Sequence, residues 1–138
     1  MSVFTPLARP ELEAFLAPYD LGRLRDFQGI AAGTENSNFF ISLEKGEFVL
    51  TLVERGPVQD LPFFIQLLDV LHDAELPVPY ALRTTEGVAL RELAGKPALL
   101  QPRLAARDFL ASRIDVRAVR ESVGLGKRVA SWVTLVVL

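Results

Sequence analysis

Cysteine is absent from this chain, so neither a disulfide framework nor a thiolate zinc site can be built from it. Histidine is nearly so, with His72 the one imidazole in 138 residues, and methionine and tryptophan occur once each. Asn36 and Asn38 are the two asparagines, and they fall in one short stretch expected to be a loop. Chemistry that needs an imidazole or a carboxamide from asparagine is therefore confined to three positions. No basic start runs into an apolar stretch, and no apolar run reaches the roughly 20 residues that span a bilayer. The expectation is a soluble, cytoplasmic protein with no membrane partner. Internal repeats and low-complexity tracts are missing as well.

What is present is enough for one modest core, since 50% of the residues are hydrophobic. The net charge of −2 conceals an uneven distribution. Residues 1–102 carry eight Lys/Arg against fourteen Asp/Glu, and residues 103–138 carry seven against three. A reversal of charge marks a boundary, and the reading divides the chain into a folded unit, 1–103, and an unassigned tail, 104–138.

The most strongly patterned stretch is residues 27–54. Phe39, Ile41 and Leu43 alternate with Phe40 and Ser42. After a polar turn, Glu44-Lys45-Gly46-Glu47, Phe48, Leu50 and Leu52 alternate with Val49, Thr51 and Val53. Period-2 alternation on both sides of a glycine turn predicts a β-hairpin. The loop leading in, residues 29–38, is built from small and polar side chains. Such a loop lets backbone N–H groups approach an anion closely, as nucleotide phosphates require. It matches neither G-x-x-x-x-G-K-[ST] nor G-x-G-x-x-G, and an ordinary surface turn has the same composition.

Elsewhere the pattern is coarser. Pro10 suits the first turn of a helix carrying Leu12, Phe15, Leu16 and then Tyr19 on one face, with Gly22 at or beyond its end. A first strand is expected over residues 24–30. Asp60 is a candidate N-cap, and Leu61, Phe64, Ile65, Leu68 and Leu71 form a helical apolar stripe. Pro77 and Pro79 end that helix. A turn at residues 85–87 leads to a strand at Val88, Ala89 and Leu90, and Gly95-Lys96-Pro97 leads to another at Ala98, Leu99, Leu100 and Gln101. The expected fold class is α+β: an antiparallel five-stranded sheet with one packed helix and an N-terminal helix.

The run Gly33-Thr34-Glu35-Asn36-Ser37-Asn38-Phe39-Phe40, followed by Glu47-Phe48-Val49-Leu50-Thr51-Leu52, resembles the signature of the homoserine kinases. These belong with the aminoglycoside phosphotransferase-like kinases. The resemblance covers residues 4–103 and implies a protein-kinase-like small lobe. It implies ATP and Mg²⁺ as cofactors and L-homoserine as the acceptor in the full-length family, in threonine biosynthesis. Carried over by position, it makes Gly29, Gly33, Thr34, Glu35, Asn36, Ser37 and Asn38 the phosphate-facing loop. Thr51 takes the strand position where many relatives of the superfamily have Lys or Arg, and Gln101 belongs to the hinge that reads adenine, residues 99–103. The supporting helix is residues 61–72, with Gln66 and Asp69 as its candidate polar contacts.

The resemblance also implies a large lobe that supplies a catalytic Asp and the metal ligands. Beyond residue 101 there is neither His nor Asn, and Asp108 and Asp115 sit in no H-G-D-x-x-x-x-N-like run. No catalytic residue and no metal ligand is assigned, and the chain is read as inactive alone. Three readings stay open: a truncated or frameshifted kinase, a nucleotide-binding module, and a fragment that self-associates through an exposed lobe face. Translation of the surrounding DNA in all frames tests the frameshift. The remaining features have simple readings. His72 faces a helix C-terminus, Phe39, Phe48, Phe63 and Phe64 serve core or interface packing, and the arginines of the tail form a solvated face without nucleic acid.

Overall fold

The computed structural model describes residues 5–30, 36–54, 58–75, 78 and 80–103. The expectations placed on Gly33, Thr34, Glu35 and residues 104–138 lie outside the described residues. Helix α1, Arg9–Leu16, starts with a proline in its first turn, and the Arg9–Glu13 pair at 2.8 Å supports its outer face. A single 3₁₀ turn, Ala17–Tyr19, follows, and Asp20 closes it in the left-handed region at φ 55°. Gly22, at φ +87°, could not be replaced: a Cβ there would lie 2.6 Å from the Cβ of Glu44. Backbone hydrogen bonds from Glu44 N to Arg23 O and from Lys45 N to Leu21 O hold the two segments at that close approach.

The sheet consists of β1 (Leu24–Ile30), β2 (Asn36–Leu43), β3 (Gly46–Val53), β4 (Arg91–Leu93) and β5 (Lys96–Pro102), in the order β1-β2-β3-β5-β4. All four pairings are antiparallel. The predicted first strand and hairpin are present, with Phe39 opposite Leu50 and Phe40 opposite Val49. A register shift between Leu24 and Asp26 lets β1 bend over the hairpin end. The strand expected at residues 88–90 is displaced: Thr84 N bonds to Val88 O in a turn around Gly87, and pairing begins at Arg91. The turn consumes the apolar residues that had suggested a strand.

Helix α2, Leu61–Asp73, buries Leu61, Ile65 and Leu68 and keeps Phe64 and Leu71 half-buried. Asp60 does not cap it through its side chain; the residue has helical backbone angles and ends a 3₁₀ turn, Val58–Asp60. Phe39 and Phe48 are core residues, whereas Phe63 is 53% exposed.

The two sheet faces are covered differently. The face bearing Phe39, Ile41, Leu43, Phe48, Leu50 and Leu52 packs against Leu12, Phe15, Leu16 and Tyr19 in the largest apolar cluster. Arg91 ties β4 to α1, its guanidinium 4.2 Å from the Phe15 ring centroid and donating to Phe15 O. The opposite face holds a smaller cluster of Val53, Leu61, Ile65, Ala81 and Leu99, where α2 packs, and a separate one of Val49 with Ile30 and Phe40.

Candidate functional site

Strand register sorts the candidate residues into rows across the α2 side of the sheet. Gln28, Phe40, Val49 and Gln101 stand opposite one another in sequence across β1, β2, β3 and β5. Ile30, Asn38, Thr51 and Leu99 form the next row, and Asn36 opposite Val53 the third. Two residues of strand advance the chain by about 7 Å, so the first and third rows are about 13 Å apart. The segment between Ile30 and Asn36 joins β1 to β2 at the third-row end, while Gln101 and Arg103 lie at the first-row end.

The middle row is polar and dry. Asn38 and Thr51 are 3% and 2% exposed, and Thr51 Oγ1 donates to Asn38 Oδ1 at 2.9 Å. The Asn38 amide donates in turn to Asn36 O at 3.4 Å. Thr51 is thus bound to its neighbour across the hairpin, where a charged side chain would have needed a counter-ion. The first row is apolar at its centre. Val49 is fully buried, Phe40 half-buried, and the Arg103 guanidinium lies over the Phe40 ring at 4.0 Å from its centroid.

Not every predicted residue points this way. Ser37 is fully buried on the α1 side, where its hydroxyl donates to Glu54 Oε1 at 2.5 Å and accepts from Thr5 N at 3.1 Å. Gly29 lies in β1 opposite Phe39. Gln101 is buried within β5. On α2, Gln66 is exposed, and Asp69 is engaged by Arg83, whose Nη1 donates to Oδ1 at 3.2 Å. His72, at the last turn of α2, stacks on Tyr80 with centroids 3.8 Å apart.

A polar network at the third-row end, on the α1 side, was not foreseen. Glu54 accepts hydrogen bonds from Ser37, Thr5 and Lys96, and Lys96 Nζ also donates to Thr5 Oγ1 at 2.6 Å. Burial pushes the Glu54 carboxyl up, but the Lys96, Ser37 and Thr5 hydrogen bonds and the Lys96 charge outweigh it and hold the group below its ordinary value. These partners are 17 to 49 residues from Glu54, a separation no local motif bridges.

Among the described residues, no three His, Asp or Glu side chains come together to hold a metal ion, and no helix is long and apolar enough to cross a membrane.

A five-stranded antiparallel sheet with one helix across the polar face is the small lobe of a protein-kinase-like fold. A solved spectinomycin phosphotransferase, in complex with ADP and spectinomycin, shares it: the TM-score is 0.58 at 13% identity, over 86% of this chain and 42% of that one. The model of the APH phosphotransferase enzyme family matches residues 26–132, and the chain belongs to that family. More particularly, it is 83% identical over 107 residues to a homoserine kinase of Pseudomonas aeruginosa. It is 43% identical over 109 residues to one of Methylobacillus flagellatus. These alignments cover 78% and 79% of this chain and 34% of each relative, so the chain spans about a third of the length of the curated relatives it matches.

Proposed function

We propose that this chain is the nucleotide-gripping lobe of a kinase that transfers the γ-phosphoryl group of ATP to the hydroxyl of L-homoserine, in threonine biosynthesis. The observation that carries the reading is the 83% identity to a homoserine kinase, maintained over 107 residues. The order of the rows supports it. An extended nucleoside triphosphate laid along the strands would set its base by Phe40 and Val49, near the hinge at Gln101. Its phosphates would lie toward Asn36, at the end of the sheet where β2 begins, with the glycine-containing motif of residues 33–38 proposed to meet them.

Thr51 and Asn38 lie between these ends. An uncharged, hydrogen-bonded pair there leaves neutralisation of the phosphates to other groups. Magnesium, which the family implies, would supply positive charge. The described residues offer it no ligand set, and no step is assigned to it. The lobe is proposed to end near residue 103, where the charge balance of the sequence reverses. The cytoplasm, where ATP and amino acids are at hand, is the proposed setting.

The chain by itself is proposed to bind ATP without turnover, since its sequence holds no H-G-D-x-x-x-x-N-like run. Calorimetric titration of the purified chain with ATP·Mg²⁺, beside an assay for phosphorylated homoserine, tests both parts. Binding with no product is the expected result. Absence of binding overturns the nucleotide reading, and product from a homogeneous preparation overturns the view that the chemistry needs more protein.

A second reading has one observation in its favour. Phe63 and Val70, 53% and 60% exposed and seven residues apart, share one side of α2 and present an apolar surface through which copies could associate. Sedimentation of the native chain and a Val70→Glu variant separates this from a monomer.

A further inference from the structure

We propose that Arg103 is a displaceable plug on the nucleotide face: its guanidinium occupies the place over the Phe40 ring that a purine base takes on binding. The inference rests on the nucleotide reading above and adds to it a competition within the protein.

The geometry has three parts. First, among the described residues Phe40, Val49 and Ile30 form an apolar cluster apart from the two on which α1 and α2 pack, with Phe40 half-buried. Second, the guanidinium lies 4.0 Å from the Phe40 centroid, a stacking distance. A planar base on that face of the ring and the guanidinium exclude one another. Third, the backbone of Arg103 is fixed while its side chain is exposed. Its N–H donates to Glu47 O at 3.0 Å, continuing the β3–β5 ladder one residue past Pro102. Rotation about side-chain bonds is then sufficient to uncover the ring, with no loss of strand pairing.

The energetic ordering favours displacement. A cation over an aromatic ring at an exposed site is a weaker interaction than the stacking of a base on the same ring. A base therefore wins the site, and the freed guanidinium returns to water. The ligand class is a purine nucleoside or nucleotide, and the plug lowers its apparent affinity by the strength of the contact it breaks.

Adenosine is the discriminating probe, because it carries no phosphate that the Arg103 charge could attract. The native chain and Arg103→Ala are titrated with adenosine while NMR follows the Phe40 ring protons. Arg103→Ala removes an exposed side chain and leaves the fold intact. The expected result is adenosine affinity about two- to fivefold tighter in the variant. Equal or weaker affinity in Arg103→Ala overturns the plug but leaves the nucleotide reading standing, since the native chain still binds. No movement of the Phe40 signals in the native chain, with adenosine or with ATP·Mg²⁺, overturns both.

Discussion

The two faces of one sheet differ in how their polar groups are answered. On the α1 side, leucines, phenylalanines and Ile41 interlock with α1, and the polar atoms at its edge answer one another: Glu54 with Lys96, Ser37 and Thr5. On the α2 side the apolar cover is divided into two smaller clusters, with the buried Thr51–Asn38 pair in the row between Val49 and Val53. A face built only for stability has no use for a carboxamide in its middle, since an apolar pair would pack there without desolvating polar atoms. The contrast fits the proposed nucleotide reading, in which the first face carries stability and the second meets the ligand.

Mutations sharpen this contrast in order of size. Leu50→Ala, at a fully buried centre of the α1 side, should cost about 2–5 kcal/mol in chemical denaturation, lost transfer energy plus a cavity. A loss of under 1 kcal/mol would show that this face is not the main core. Glu54→Ala should cost about 1–3 kcal/mol, because Lys96 and Ser37 lose a partly buried acceptor. The same carboxylate has a pH signature. Its folded value lies below the unfolded one, so its contribution is complete at neutral pH and above the ordinary carboxylate range. That contribution fades as pH falls through the depressed folded value. Native and Glu54→Gln chains, melted across that range, should converge toward acid; parallel curves would remove Glu54 from the account.

On the α2 side, Thr51→Val should cost about 1 kcal/mol through the lost hydrogen bond to Asn38. Thr51→Ser should restore most of it. If valine proves stabilising, the pair is kept for ligand contact alone, which would strengthen the comparison of faces. The smallest expected effect is Val70→Glu on the exposed side of α2, within about 0.5 kcal/mol of the native stability by thermal melts.

Much of the fold was legible because it is local. Alternation in residues 39–53 gave the hairpin and the facing of each side chain, and the Leu61, Ile65 and Leu68 spacing gave α2 and its buried stripe. Asp60 and residues 88–90 misled for local reasons: a helical backbone at Asp60 leaves its side chain off the cap, and a turn around Gly87 shifts the strand start to Arg91. The proposed site rests on a motif at Asn36, Asn38 and Thr51, which the register sets on one side of the sheet. Ser37 belongs to the same motif but alternates to the far side, a consequence of strand parity that the motif alone does not express. Glu54, Lys96, Thr5 and the Arg103–Phe40 contact depend on which strands are neighbours, and no spacing within the sequence encodes them.

Amide hydrogen exchange of the native chain, with and without ATP·Mg²⁺, addresses the division of labour between the faces most directly. The account predicts added protection at Gly29, Asn36, Asn38 and residues 99–103, apart from Pro102, with none at Leu12, Phe15 or Leu16 of α1. Protection confined to α1, or none anywhere at saturating nucleotide, would contradict it.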